Sequence, residues 1–146
     1  MKEKKKTIAW DLIPNQYEYK IILVLSNENF DKICIKLNKQ FNFGYIKNKD
    51  FKKDEPNPGP CVICNDDERI CAIILDEFSN TVHNQCTLVH ELTHVSTLIS
   101  DNVGLKINEE TTEGWAYFIS FYYKVCIECL LEYLKEEENK GKEKWN

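Results

Sequence analysis

The run His90-Glu91-Leu92-Thr93-His94 is the segment of this chain whose residue types and spacing together specify a chemistry. On a helix, residues four apart lie one turn apart on the same face, so two imidazoles at that spacing can close on one small cation, and zinc suits them. Glu91 stands about 100° round the helix from His90. From there its carboxylate can lean over the open coordination position of the metal and take a proton from a bound water, which is the placement of a general base. His90 and His94 are thus the expected metal ligands, and Glu91 the expected catalytic group.

A helix has to carry this motif, and its ends and buried side are legible. Ser79, Asn80 and Thr81 offer N-cap side chains, and Asp101-Asn102 with Gly104 offers a stop. Between them Leu88, Leu92, Val95 and Ile99 form one apolar stripe roughly opposite the histidines. The spacing predicts a helix with one side in the core and its metal side on a cleft.

Upstream, Tyr19 to Leu25 is short, apolar and β-branched, and predicts a central strand buried on both faces. Ser26 or Asn27 then caps a helix whose apolar side is Phe30, Ile33, Leu37 and Phe41, ending at Gly44. Residues 48–60 are charged and hold three prolines and a glycine, so they predict a long loop, either a surface connector or a flap over the cleft. Cys61 to Cys64 and Ile70 to Leu75, separated by Asn65-Asp66-Asp67-Glu68, predict a hairpin leading into the motif helix. The strand ending at Leu75 is expected to offer an edge to an extended peptide. A second long helix is expected from Asn108 as N-cap, with Glu109 and Glu110 in its first turn. Its stripe is Trp115, Ile119, Tyr122, Cys126, Cys129 or Leu130, and Tyr133. Residues 1–7 and 136–146 are expected to be solvated tails of a single domain spanning 1–146.

A catalytic zinc usually takes a third protein ligand. His83 points the same way as His90 but lies about 10 Å along the helix axis, too far to share the metal. No cysteine immediately follows the motif, so an acid on the second helix is the natural candidate, and Glu109, Glu110 and Glu113 compete. Glu113 opens an E-x-x-A pattern, Glu113-Gly114-Trp115-Ala116, in which the small Gly114 and Ala116 would let the two helices approach closely.

With those residues in place, the chain resembles the minigluzincin group of small metalloproteases, whose HExxH is followed by a glutamate in an ExxA or ExxxD context on the next helix. It is most similar to compact phage-encoded members carrying a Glu-x-x-Ala-Tyr segment. The matching residues are His90, Glu91, His94, Glu113, Ala116 and Tyr117, and the match is specific from about His83 to Phe118. The resemblance implies an α+β, minimal zincin-like fold: a small mixed sheet, an upstream helix, the HExxH helix and a C-terminal glutamate helix. It implies a zinc peptidase with His90, His94 and Glu113 on Zn2+ and Glu91 as base. Tyr117 stands where ExxxD members carry an aspartate that steadies a ligand histidine. It is the first candidate to donate to the oxyanion, and packing against the metal helix is its plainer role.

The rest of the composition narrows the partners. A formal net charge of −5 argues against a broad electrostatic grip on nucleic acid or anionic lipid. No apolar run follows Lys2, Lys4, Lys5 and Lys6, and none approaches a membrane span, so a cytoplasmic setting is expected. Seven cysteines predict free thiols rather than a disulfide framework, and the CxxC pairs Cys61/Cys64 and Cys126/Cys129 are read as apolar cysteines in preference to a second zinc site. A peptide or protein substrate is the expected partner. The competing functions are a non-catalytic zincin-like module that binds another protein, and a zinc amidase acting on a non-protein amide.

Overall fold

The computed structural model describes residues 3–44 and 52–145. Among these, four strands and three helices run in the order β1 (Thr7–Asp11), β2 (Lys20–Ser26), α1 (Phe30–Phe41), β3 (Cys61–Asn65), β4 (Ile70–Leu75), α2 (Val82–Asn102) and α3 (Thr112–Glu143). The class is α+β, and the sheet is mixed, with strand order β1-β2-β4-β3. β2 runs parallel to β4, while β1 and β3 are antiparallel edges.

Alternation along the two central strands splits the core in two. Ile21, Leu23, Cys71, Ile73 and Leu75 point to the side covered by α2 and α3, where they meet Leu88, Leu92, Val95, Ile99, Trp115, Phe118, Tyr122, Cys126 and Leu130. Ile22, Val24, Ile70, Ala72 and Ile74 point to the other side and meet Phe30, Ile33, Cys34 and Leu37 of α1. A strand covered on both faces needs a nearly continuous apolar sequence, which is why Lys20–Ser26 and Ile70–Leu75 read as they do.

Several expectations need correction. Thr7 is not in a solvated tail but opens β1, pairing with Ser26. Lys6 just before it is anchored too: its N–H donates to Asn27 Oδ1 at 2.7 Å, and its ammonium lies 3.1 Å from Glu137 and 4.8 Å over the Tyr133 ring. Helix α3 does not fray at residue 136 but continues to Glu143, its end mostly Glu and Lys, good helix formers that outweigh Asn139 and Gly141. The N-cap of α1 is Asn29, not Ser26 or Asn27.

At the other end, α3 starts at Thr112 instead of directly after Asn108. The Asn108 carboxamide oxygen accepts from the N–H groups of Glu110 and Thr111, closing a side-chain turn that keeps Glu109 and Glu110 outside the helix. Glu113 is therefore the acid in its first turn. The buried stripe passes through Phe118, with Ile119 only partly covered.

The hairpin is present, and a disulfide crosses it between the directly paired Cys64 and Cys71, so these two are not the free thiols expected from the count. The bond closes a short loop and constrains the unfolded chain. Its reduction should lower unfolding free energy by about 2–3 kcal/mol, seen as a lower urea midpoint in the presence of a thiol reductant. Cys126 is fully buried between α2, α3 and the sheet, and burial pushes its thiol well up, in keeping with an apolar core role.

Residues 48–51 of the long loop lie outside the described residues. The later part of the loop docks on the far end of the sheet: Phe30 N–H donates to Glu55 O at 2.8 Å, and the Asn57 amide donates to Ser26 O and Glu28 O. Close by, Glu28 is buried at the junction of β1, β2 and α1, where it accepts from the Thr7 hydroxyl and, at 2.8 Å, from the Lys36 ammonium. Burial works to raise this carboxyl, but the bonds from Lys36 and Thr7 outweigh it and hold it below its ordinary value. A carboxyl depressed in the folded state contributes stability above the ordinary carboxylate range and loses it as pH falls through the folded value. Urea midpoints of the wild type and Glu28→Gln should therefore converge on acidification and separate toward neutral pH.

Candidate metal centre

Helix α2 positions the motif through its two ends and its apolar side. Thr81 is the N-cap, its side chain accepting from Asn84 N–H, and Gly104 lies just past the C-cap at φ +73°. Leu88, Leu92, Val95 and Ile99 are each 0% exposed. With that stripe fixed in the core, helical geometry turns His90 and His94 outward, and both are exposed.

The two imidazoles face each other. Their Nε2 atoms are 3.1 Å apart and the rings stand edge to face, with centroids 4.7 Å apart. Two nitrogens bound to one tetrahedral zinc at the usual bond length are separated by about 3.3 Å. The separation of the pair therefore suits a shared cation with a shift of only a few tenths of an ångström.

Glu91 does something different. It is 5% exposed and turns toward the sheet edge, lining an open groove of about 420 Å³ with Pro60, Cys61 and Val62 on one wall and His90, His94, Thr97 and Leu98 on the other. Burial pushes the Cys61 thiol up to about 11, and the Glu91 carboxylate nearby adds to this. A carboxylate shielded from bulk water yet open to the groove beside the histidines is suitably placed to exchange a proton with something held there.

The groove wall corrects the expectation about the sheet edge. Leu75 belongs to β4, which is paired on both sides, with β2 and β3, and has no free edge. Among the described residues the free edge beside the motif helix is β3, whose first residues, Cys61 and Val62, form the groove wall. Sequence reasoning does not single out these wall residues as functional; the signal available is the first strand of the hairpin that leads into the motif helix.

Glu113 and Tyr117, also expected at the site, are not among the residues that line this groove. Glu113 is exposed in the first turn of α3, and among the described residues no group of three or more His, Cys, Asp or Glu side chains is arranged to hold a metal. The structure thus brings His90, His94 and Glu91 into one groove and does not group Glu113 with the histidine pair. Nor does Gly114 mark a close helix approach, since a Cβ there would meet nothing within 4 Å. The segment is positioned instead by Trp115, 2% exposed, whose indole N–H donates to Leu105 O at 3.1 Å and whose ring stacks on Tyr17 at 5.0 Å. Tyr117, 69% exposed, lines a separate groove with Pro14, Asn15, Gln16, Gly114, Phe118, Phe121 and Tyr122. His83 is exposed near the start of α2.

Among the described residues no helix is long and apolar enough to cross a membrane. Comparison with protein-family models, with curated proteins and with solved structures finds no match for this chain.

Proposed function

We propose that the chain is a zinc-dependent metallopeptidase of the minigluzincin type, with a zincin-like arrangement of strand, motif helix and glutamate helix. The observation that carries this reading is the 3.1 Å approach of the His90 and His94 Nε2 atoms next to the buried Glu91 carboxylate in one open groove. His90 and His94 would hold the cation, with Glu113 as third ligand on the strength of the sequence resemblance. Zinc, when bound, supplies Lewis-acid polarisation of water and of the scissile carbonyl.

The chain's own side chains do the rest. Glu91 accepts the proton of the attacking water and passes it to the leaving amine, a task suited to a carboxylate kept out of bulk solvent. The free edge of β3 holds an extended substrate alongside Glu91 through backbone hydrogen bonds. Tyr117 is retained as an oxyanion donor only if substrate binding bridges the two grooves. The exposed Glu113, not grouped with the histidines, favours one second reading: a zincin-like module that binds another protein and does not cleave it.

Metal analysis of protein purified without a metal-binding tag tests the proposal. The wild type should carry a zinc in the His90–His94 site that His94→Ala abolishes and Glu113→Ala sharply weakens. No zinc at those histidines, even after incubation with the metal, would leave the protein-binding module as the surviving reading. Zinc retained in Glu113→Ala would keep the centre and remove Glu113 from it.

A further inference from the structure

The groove that holds Tyr117 has a volume of about 450 Å³, lies between the start of α3 and the connection from β1 to β2, and shares no lining residue with the groove beside the histidines. Four of the residues that line it are aromatic. Phe118 and Tyr122 are buried and form its floor, with ring centroids 4.8 Å apart. Phe121 stands edge to face with Tyr122 at 5.2 Å and 84°. Tyr117 and Phe121, one helical turn apart, are 69% and 45% exposed, so two rings of the groove still offer surface to a ligand. Its polar neighbours narrow what that ligand can be. Asn15 commits its amide N–H groups inside the protein, to Tyr19 O at 2.8 Å and the Tyr122 hydroxyl at 3.1 Å, and that hydroxyl donates to Ile13 O. No Lys, Arg or His lines the groove. The two chain segments that form it, 12–19 and 107–123, hold Glu18, Glu109, Glu110 and Glu113 and no Lys or Arg. Glu113, in the first turn of α3, also offsets the positive end of the helix dipole.

We infer that this groove binds a trimethylammonium head group against the rings of Tyr117 and Phe121. Aromatic faces carry partial negative charge and attract a cation, while an anion finds no cationic side chain here. Methyl groups spread the positive charge over an apolar surface, which loses less hydration on leaving water than a bare ammonium and packs on the Phe118 and Tyr122 floor. Gly114 leaves room for it, since a Cβ at that position would meet nothing within 4 Å. The head group has two sources, a free molecule such as choline or a trimethylated lysine on a peptide. The inference stands apart from the peptidase reading, because it needs neither the metal nor Glu91.

Calorimetric titration of the full chain with choline and with a trimethyl-lysine peptide, in a buffer containing a metal chelator, tests it. At least one of the two should bind, and the tighter names the source. The neutral tert-butyl analogue of the binding ligand has the same shape without the charge, and should bind about tenfold more weakly. Phe121→Leu keeps an apolar side chain and removes the ring, so it should weaken the charged ligand about fivefold and leave the neutral analogue nearly unchanged. Gly114→Leu puts a better helix former at an exposed helical position and should fill the groove and abolish binding, with helical circular dichroism retained. Absence of binding by both ligands would overturn the proposal. So would equal affinity for the charged and neutral forms, which marks a plain apolar groove, or indifference to Phe121→Leu and Gly114→Leu, which places the ligand elsewhere. Failure of the peptidase reading shows separately, as absent hydrolysis with ligand binding intact.

Discussion

Glu91→Gln should reduce peptide hydrolysis by about 10²–10⁴-fold while leaving zinc content and helical circular dichroism at their wild-type values. The size of the effect reflects what the substitution keeps. The amide has nearly the volume of the carboxylate, so a side chain only 5% exposed still fills its place between α2 and β3. His90 and His94 are untouched, and their 3.1 Å approach depends on the helix and not on Glu91. What is lost is a group able to accept a proton at working pH. Cleavage of a peptide library, read by mass spectrometry, gives the outcome, with zinc measured on the same samples. A Glu91→Gln protein that cleaves at the wild-type rate would remove Glu91 from the mechanism and direct the search for a base to another part of the groove.

Trp115→Ala is the second large effect, about 3–5 kcal/mol off the unfolding free energy. The indole is almost fully buried against the sheet side of α3, stacked on Tyr17 at 5.0 Å and in edge contact with Phe118 at 5.5 Å. Its N–H also holds Leu105 O, so it ties the connection after α2 to the first turn of α3. Removing it leaves a cavity and also breaks the hydrogen bond to the Leu105 carbonyl. Trp115→Phe separates the two contributions: it keeps most of the packing and should cost markedly less, with about 1 kcal/mol from the lost hydrogen bond. On the proposed reading, in which Glu113 two residues away completes the zinc centre, zinc affinity should fall with Trp115→Ala more than with an equally destabilising core change such as Leu37→Ala on the buried face of α1. Chemical denaturation and zinc competition with a chelating dye supply the two readouts.

The elements that read well from sequence carry their signal locally. The motif helix has a cap, a stripe and a stop within some two dozen residues, and the central strand is an unbroken apolar run because both its faces are covered. β1 is not legible in this way. Four of its five residues are only partly buried and Asp11 is exposed, and it exists because β2 offers it a hydrogen-bonding partner, which is tertiary information. The same holds for the disulfide. Cys64 has a sequence neighbour at CxxC spacing in Cys61, but strand register puts Cys71 opposite it.

In the site, the two histidines and Glu91 are legible because one helix holds them all. The groove's other wall and the position of the glutamate helix are not, since both depend on how separate elements pack. The start of α3 shows how small the deciding feature can be. One Asn108 side chain bonding ahead of itself moves the helix start by several residues and leaves Glu109 and Glu110 in a turn.

The parallel pairing of β2 with β4 has a consequence for the order of assembly. Lys20 lies opposite Ile70, so the central ladder joins segments about fifty residues apart and must close a long loop before it gains any hydrogen bond. A chain emerging from the ribosome cannot complete this ladder until the hairpin is out, and the motif helix comes directly behind it. The histidine pair needs only one turn of helix to come together, whereas the wall opposite waits for the whole sheet. If the proposed centre binds zinc, capture by the nascent helix precedes closure of the groove, and zinc present during refolding should speed recovery of native structure by stabilising α2 before the slow strand pairing is complete.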